Sequence, residues 1–158
     1  MKQVLIRKGQ VLVEDVPAPM VDKNSVLVEV HYSLISTGTE MAGISASGES
    51  LVEKVLKQPE NVKKGLNMIR SQGISQTLSK VKGQFESAHP SGYSCSGVVL
   101  EVGENIKDIK IGDRVACAGV GKANHAEIVN VPRNLVVKIP GEVDFKDAAS
   151  ATLGAIAM

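Results

Sequence analysis

A chain of 158 residues can bury one substantial core, and 43% hydrophobic with 22% charged residues is the composition of a globular domain. Eighteen basic against 17 acidic residues leave a net charge of +1, which excludes a field that recruits nucleic acid or an anionic membrane surface. An aromatic content of 3% without Trp excludes a base-stacking platform, and no window approaches the ~20 apolar residues that span a bilayer.

Residues 2–6 and 11–15 are short apolar runs joined by Arg7-Lys8-Gly9-Gln10, which predicts a hairpin. Val16-Pro17-Ala18-Pro19 then forces extended backbone, because a residue before proline avoids the helical region. From Val26 to Tyr32 the alternation is clean. Val26, Val28, Val30 and Tyr32 share one face, Glu29 and His31 the other, as in a half-buried strand. Ser36-Thr37-Gly38-Thr39-Glu40 follows as a loop.

Between residues 45 and 89 the period becomes helical. Leu51, Val55 and Leu56 recur until Pro59, then Val62, Leu66 and Ile69, then Leu78, Val81 and Phe85 with Ser75 as N-cap. This predicts a helical insertion, at about 50–85, in a β chain. Its Lys54, Lys57, Lys63, Lys64, Arg70, Lys80 and Lys82 form either a solvated face or a lid over an anionic substrate.

After His89-Pro90 the β pattern returns. Val98, Leu100 and Val102 alternate with Val99 and Glu101, and turns at Gly103-Glu104-Asn105 and Gly112-Asp113 lead into Arg114–Cys117. Gly97 is expected to permit close backbone packing, and Cys95 to be a small buried hydrophobe. Gly119-Val120-Gly121 reads as a hairpin turn; it lacks the third glycine of a dinucleotide-binding loop. Strands at 126–131 and 135–139 flank Pro132-Arg133-Asn134, and Asp144 to Asp147 cap a final helix. Many short strands with Gly/Pro turns indicate a sandwich or barrel.

Cys95 and Cys117, on separate strands, make no disulfide framework, and the start carries no apolar run suited to a secretory signal. Both predict a reducing, cytoplasmic setting. The small apolar residues of Ala148–Met158 predict a helix that continues into further chain.

Three segments in order carry a family resemblance: Val26 through Glu40; Gly92-Tyr93-Ser94-Cys95-Ser96-Gly97-Val98 through the Gly112-Asp113-Arg114-Val115 turn; and Asn124 through Met158. Together they resemble the N-terminal catalytic domain of the medium-chain dehydrogenase/reductase superfamily. The resemblance implies a mainly β, GroES-like, partly open barrel over residues 1–147 that includes the insertion 45–89. Residues 148–158 then start a linking helix toward a Rossmann domain outside this chain. The Ser-Thr-Gly-Thr-Glu loop, the insertion and Gly-Tyr-Ser-x-Ser-Gly-Val point to the zinc-lacking subgroup related to bacteriochlorophyllide dehydrogenases and two-module oxidoreductases.

The family's metal ligands would fall at Ser36 or Thr37, at Tyr93-Ser94 in place of His-Glu, and near Thr152 or Leu153. None is a usual zinc ligand, so no zinc is expected. The resemblance implies a nicotinamide cofactor, NAD or NADP, held mainly by the absent domain, and an alcohol, carbonyl or sugar as substrate. The parent is expected to be a homo-oligomer, and this chain alone to be inactive. It implies Thr39 as proton relay and Tyr93 as hydrogen-bond donor to the alkoxide. Ser36, Thr37 and Ser94 would line the pocket, with Thr152 approaching the nicotinamide. Two other readings stand beside this one: a non-enzymatic oligomerisation module with the co-chaperonin's barrel, and a zinc-binding alcohol dehydrogenase domain. Glu40 is expected to hold its loop by hydrogen bonds. His31, His89 and His125 are assigned to separate elements.

Overall fold

The computed structural model describes residues 1–48 and 87–158. The helices expected between 51 and 85, with their basic side chains, lie outside the described residues. Two compact units are present: Met1–Leu5, Val13–Glu40 and Pro90–Met158 form one, Ile6–Leu12 and Met41–His89 the other. Every site residue considered below belongs to the first.

The described residues are mainly β. Strands β1 (Lys2–Arg7) and β2 (Gln10–Asp15) meet at Lys8 and Gly9, whose φ angles of 50° and 75° make the two-residue turn that suits a twisted hairpin. With β4 (His89–Pro90) they form a three-stranded sheet in the order β2-β1-β4. The main sheet has the order β7-β3-β5-β6-β8. Its strands are β3 (Ser25–Ser33), β5 (Ser94–Val102), β6 (Arg114–Ala118), β7 (Ile128–Pro132) and β8 (Val136–Lys138).

The core is lined by valines, whose branched side chains pack well on a pleated surface. Val26, Val28, Val99, Val115 and Val131 are all under 2% exposed. Each such burial is worth on the order of 1.5–3 kcal/mol. Val26 and Val28 face inward as their alternation requires. Tyr32, expected on the same face, is half exposed, because the register with β5 shifts between Val30 and Tyr32.

Three expectations are corrected. The Ser36–Glu40 loop is the start of a helix, α1 (Thr37–Gly48). The final helix is two, α2 (Phe145–Ala148) and α3 (Ala151–Ala157); Asp144 caps the first by accepting from Asp147 N–H at 2.8 Å. Gly119-Val120-Gly121 does turn the chain, with positive φ at both glycines, but β6 and β7 are not neighbours, so it closes no hairpin.

Cys95 and Cys117 lie opposite one another across β5 and β6, buried and unbridged. The Cys95 thiol beside it, and burial, push the Cys117 thiol far above its ordinary 9.0. Neither thiol should react with a thiol reagent in the folded protein. Above about pH 9 the unfolded Cys117 ionises while the folded one does not, so stability should fall by about 1.4 kcal/mol per pH unit. Urea unfolding at neutral and alkaline pH checks this. Cys117→Val should remove the alkaline loss, and rapid labelling of the native thiols would contradict the account.

Candidate functional site

The site is assembled where β3 ends and β5 begins. Leu34 N–H donates to the Ser94 carbonyl at 3.0 Å, which carries the chain out of β3 directly beside Tyr93-Ser94. Three residues later, at Thr37, α1 starts. The Ser36 carbonyl accepts the first helical hydrogen bond, from Glu40 N–H at 2.9 Å, and Ser36 Oγ donates to Thr39 Oγ1 at 3.2 Å. This contact links the two hydroxyls across the first turn of α1.

Glu40 fastens that turn to two other segments. Its Oε1 accepts from Ser36 N–H at 3.0 Å and faces His125 Nε2 at 3.1 Å. Its Oε2 accepts from Ser91 Oγ at 3.2 Å. His125 is buried, with only 8% of its side chain exposed, and its Nδ1 lies 2.9 Å from Ser33 Oγ. Gly92, at φ 94°, makes this packing possible, because a Cβ there would stand 2.7 Å from His125 N and 3.0 Å from the ring.

The second half of the site joins β5 to α3. Ser94 Oγ lies 2.7 Å from both the Ala149 carbonyl and Thr152 Oγ1. A serine has one hydroxyl hydrogen, so Ser94 donates to the carbonyl and accepts from Thr152. Ser96 Oγ donates to the Phe145 carbonyl, which ties the next inward position of β5 to α2. Thr152 also lines a cavity of about 210 Å³ whose other walls include Cys117, Leu135, Val136 and Ala155.

The expected site residues therefore separate into two groups. Ser36 and Thr39 touch at the α1 start, where Thr37 and Thr39 are exposed and Ser36 half-buried. Ser94 and Thr152 touch at the α3 start. Tyr93 precedes Ser94 directly in sequence. It is 9% exposed, its carbonyl accepts from Gly119 N–H, and its phenol has no hydrogen-bond partner among the described residues. Sequence reasoning missed His125 and Ser91. Nothing in the spacing links either to Glu40, 85 and 51 positions away. Glu40 does hold its turn by hydrogen bonds, as expected.

Among the described residues no three His, Cys, Asp or Glu side chains converge as metal ligands would. None of the described helices is long and apolar enough to cross a membrane.

Residues 62–141 match the model of the alcohol dehydrogenase GroES-like domain. Over 84 residues the chain is 43% identical to the highly reducing polyketide synthase phiA of a fungal species, covering 52% of this chain and 3% of that protein. The fold is similar to that of galactitol-1-phosphate dehydrogenase from Escherichia coli, with a TM-score of 0.65 at 18% identity over 95% of this chain and 41% of the other. It is likewise similar to Escherichia coli quinone oxidoreductase complexed with NADPH, with a TM-score of 0.63 at 18% identity over 99% of this chain and 39% of the other. At such identities the structural likeness establishes the fold. The chain spans well under half the length of each of these proteins.

Proposed function

Because the chain belongs to the alcohol dehydrogenase GroES-like domain family, within the medium-chain dehydrogenase/reductase superfamily, we propose that it is the substrate-binding and catalytic domain of a zinc-independent, NAD(P)-dependent oxidoreductase. The reaction is hydride transfer between the coenzyme and an alcohol, carbonyl or sugar carbon. The chain is one wall of the catalytic cleft and is inactive without a nucleotide-binding domain. The Escherichia coli quinone oxidoreductase determined with NADPH supports the choice of coenzyme.

One observation carries the reading: the Ser94–Thr152 contact. At Ser94 and near Thr152 or Leu153, where the resemblance puts zinc-site residues, the chain has the Ser94 and Thr152 hydroxyls 2.7 Å apart, with Ser94 donating to the Ala149 carbonyl. A zinc site needs imidazole, thiolate or carboxylate donors, and these residues do not fit one.

When bound, nicotinamide supplies or accepts the hydride. The chain's own residues orient the substrate oxygen and manage its proton. Thr39 Oγ1 accepts from Ser36, so its own O–H is left for the substrate oxygen or a proton relay. The Tyr93 phenol donates to the developing alkoxide, replacing a Lewis acid with a hydrogen bond. Ser36, Thr37 and Ser94 shape the pocket. Thr152, on the wall of the 210 Å³ cavity, would be the residue of this chain that contacts the nicotinamide. The test is nicotinamide-linked turnover by the protein that carries this domain, before and after removal of bound metal.

A further inference from the structure

Ser33, His125 and Glu40 form a hydrogen-bonded series that the hydride-transfer reading leaves unused as a chemical unit. His125 Nε2 faces Glu40 Oε1 at 3.1 Å, and Nδ1 faces Ser33 Oγ at 2.9 Å. An ionised carboxylate only accepts hydrogen bonds, so the ring hydrogen belongs on Nε2. The Nδ1 lone pair then points at Ser33, whose hydroxyl donates to it. This is the arrangement of nucleophile, base and orienting carboxylate that activates a serine. The ring runs in the opposite sense to the serine-protease template, but the chemistry needs only a basic nitrogen toward the hydroxyl and an N–H toward the carboxylate.

The series is built rather than incidental in its packing. Glu40 is fixed by Ser36 N–H and Ser91 Oγ, and the His125 ring is buried and lies against Gly92. Ser33, by contrast, is exposed. Ser33 and His125 both line a cavity of about 300 Å³ together with Lys2, Gln3, Val30 and His31. That volume is at the lower end of small-molecule sites. Gln3, whose carboxamide has no hydrogen-bond partner among the described residues, lines the same cavity and is the donor assigned to an oxyanion.

We propose that Ser33 is a nucleophilic serine that takes an acyl group from small, uncharged carboxylic esters. Ser33 Oγ bonds to the ester carbonyl carbon as its proton passes to His125 Nδ1. The carbon–oxygen bond to the alcohol then breaks, and the Nδ1 proton leaves with the alcohol. The products are an acyl-Ser33 ester and free alcohol. Water, deprotonated by the same nitrogen, releases the carboxylic acid and restores the hydroxyl. No oxidant or reductant is involved, and the proposal does not depend on the hydride-transfer reading.

The probe is p-nitrophenyl acetate added to the full chain, with nitrophenolate release followed in time and the acetylated residue located by peptide mass analysis. The expected result, in samples acid-quenched before deacylation, is acetyl on Ser33 at up to one group per chain. Labelling should be abolished in Ser33→Ala and slowed about 100-fold or more in His125→Gln, which keeps an amide donor for Glu40 but has no base. Thermal melting of both variants shows whether they remain folded. Should His125→Gln fail to fold, Ser33→Ala decides alone. Acetylation at lysines only, or nitrophenolate release unchanged in folded Ser33→Ala, would overturn the proposal.

Discussion

Gly97→Ala should prevent this domain from folding cooperatively. A Cβ at this position would lie 1.9 Å from the Glu29 carbonyl oxygen and 2.8 Å from its carbon. Both are backbone atoms of the neighbouring strand β3, so no side chain can swing aside. Val30 pairs with Gly97 and Glu29 with Val98, at the centre of the β3–β5 ladder. Relieving the contact means separating the two strands that carry Val26, Val28 and Val99, which are among the fully buried side chains of the core. Overpacking in a deformable core costs about 1–3 kcal/mol. Against rigid backbone the cost should exceed about 4 kcal/mol, a large share of a domain's total stability. Gly112→Ala is the control. Its φ of 85° is strained for alanine but its surroundings are open, so only about 1 kcal/mol should be lost. Soluble yield and thermal melting of the two variants check the contrast. A Gly97→Ala protein that melts within a few degrees of the parent would refute the close-approach argument.

The second large effect is on turnover. In the protein carrying this domain with its nucleotide-binding partner, Thr39→Val and Tyr93→Phe should each lower kcat by about 10²–10⁴-fold, the range of a lost proton-transfer or oxyanion-type contact. Stability should change far less. Valine keeps the shape of threonine at an exposed helical first turn, and phenylalanine removes only a phenol oxygen that bonds no other described residue. Steady-state kinetics and melting on the same preparations separate the two. Full rate in both variants would show that the proton and the alkoxide are managed elsewhere.

Much of the fold could be read from local signals because the physics there is local. Lys8-Gly9 supplies the positive φ pair a hairpin needs, Asp144 caps the helix that begins at Phe145 by accepting from the N–H three residues ahead, and the Val26–Val28–Val30 alternation follows directly from the pleat. The start of α1 escaped because Thr37–Gly48 is rich in glycine, serine and alanine and shows no apolar face. Its stability comes from Glu40 reaching Ser91 and His125, partners that neighbouring residues do not reveal. Likewise the Gly119–Gly121 turn looks like a hairpin, and only the sheet order shows that its flanking strands are apart. Part of the candidate site is reachable from the resemblance alone. Ser36 with Thr39 and Ser94 with Thr152 were each named from the resemblance, but that they bond in pairs depends on how the β3 end and the α3 start are placed against β5.

The most direct measurement is nicotinamide oxidation or reduction by the protein carrying this domain and its nucleotide-binding partner, assayed with carbonyl and alcohol substrates before and after exhaustive chelation. Unchanged turnover with less than stoichiometric zinc is the predicted result. Loss of turnover on chelation, with recovery on adding zinc, would contradict the account.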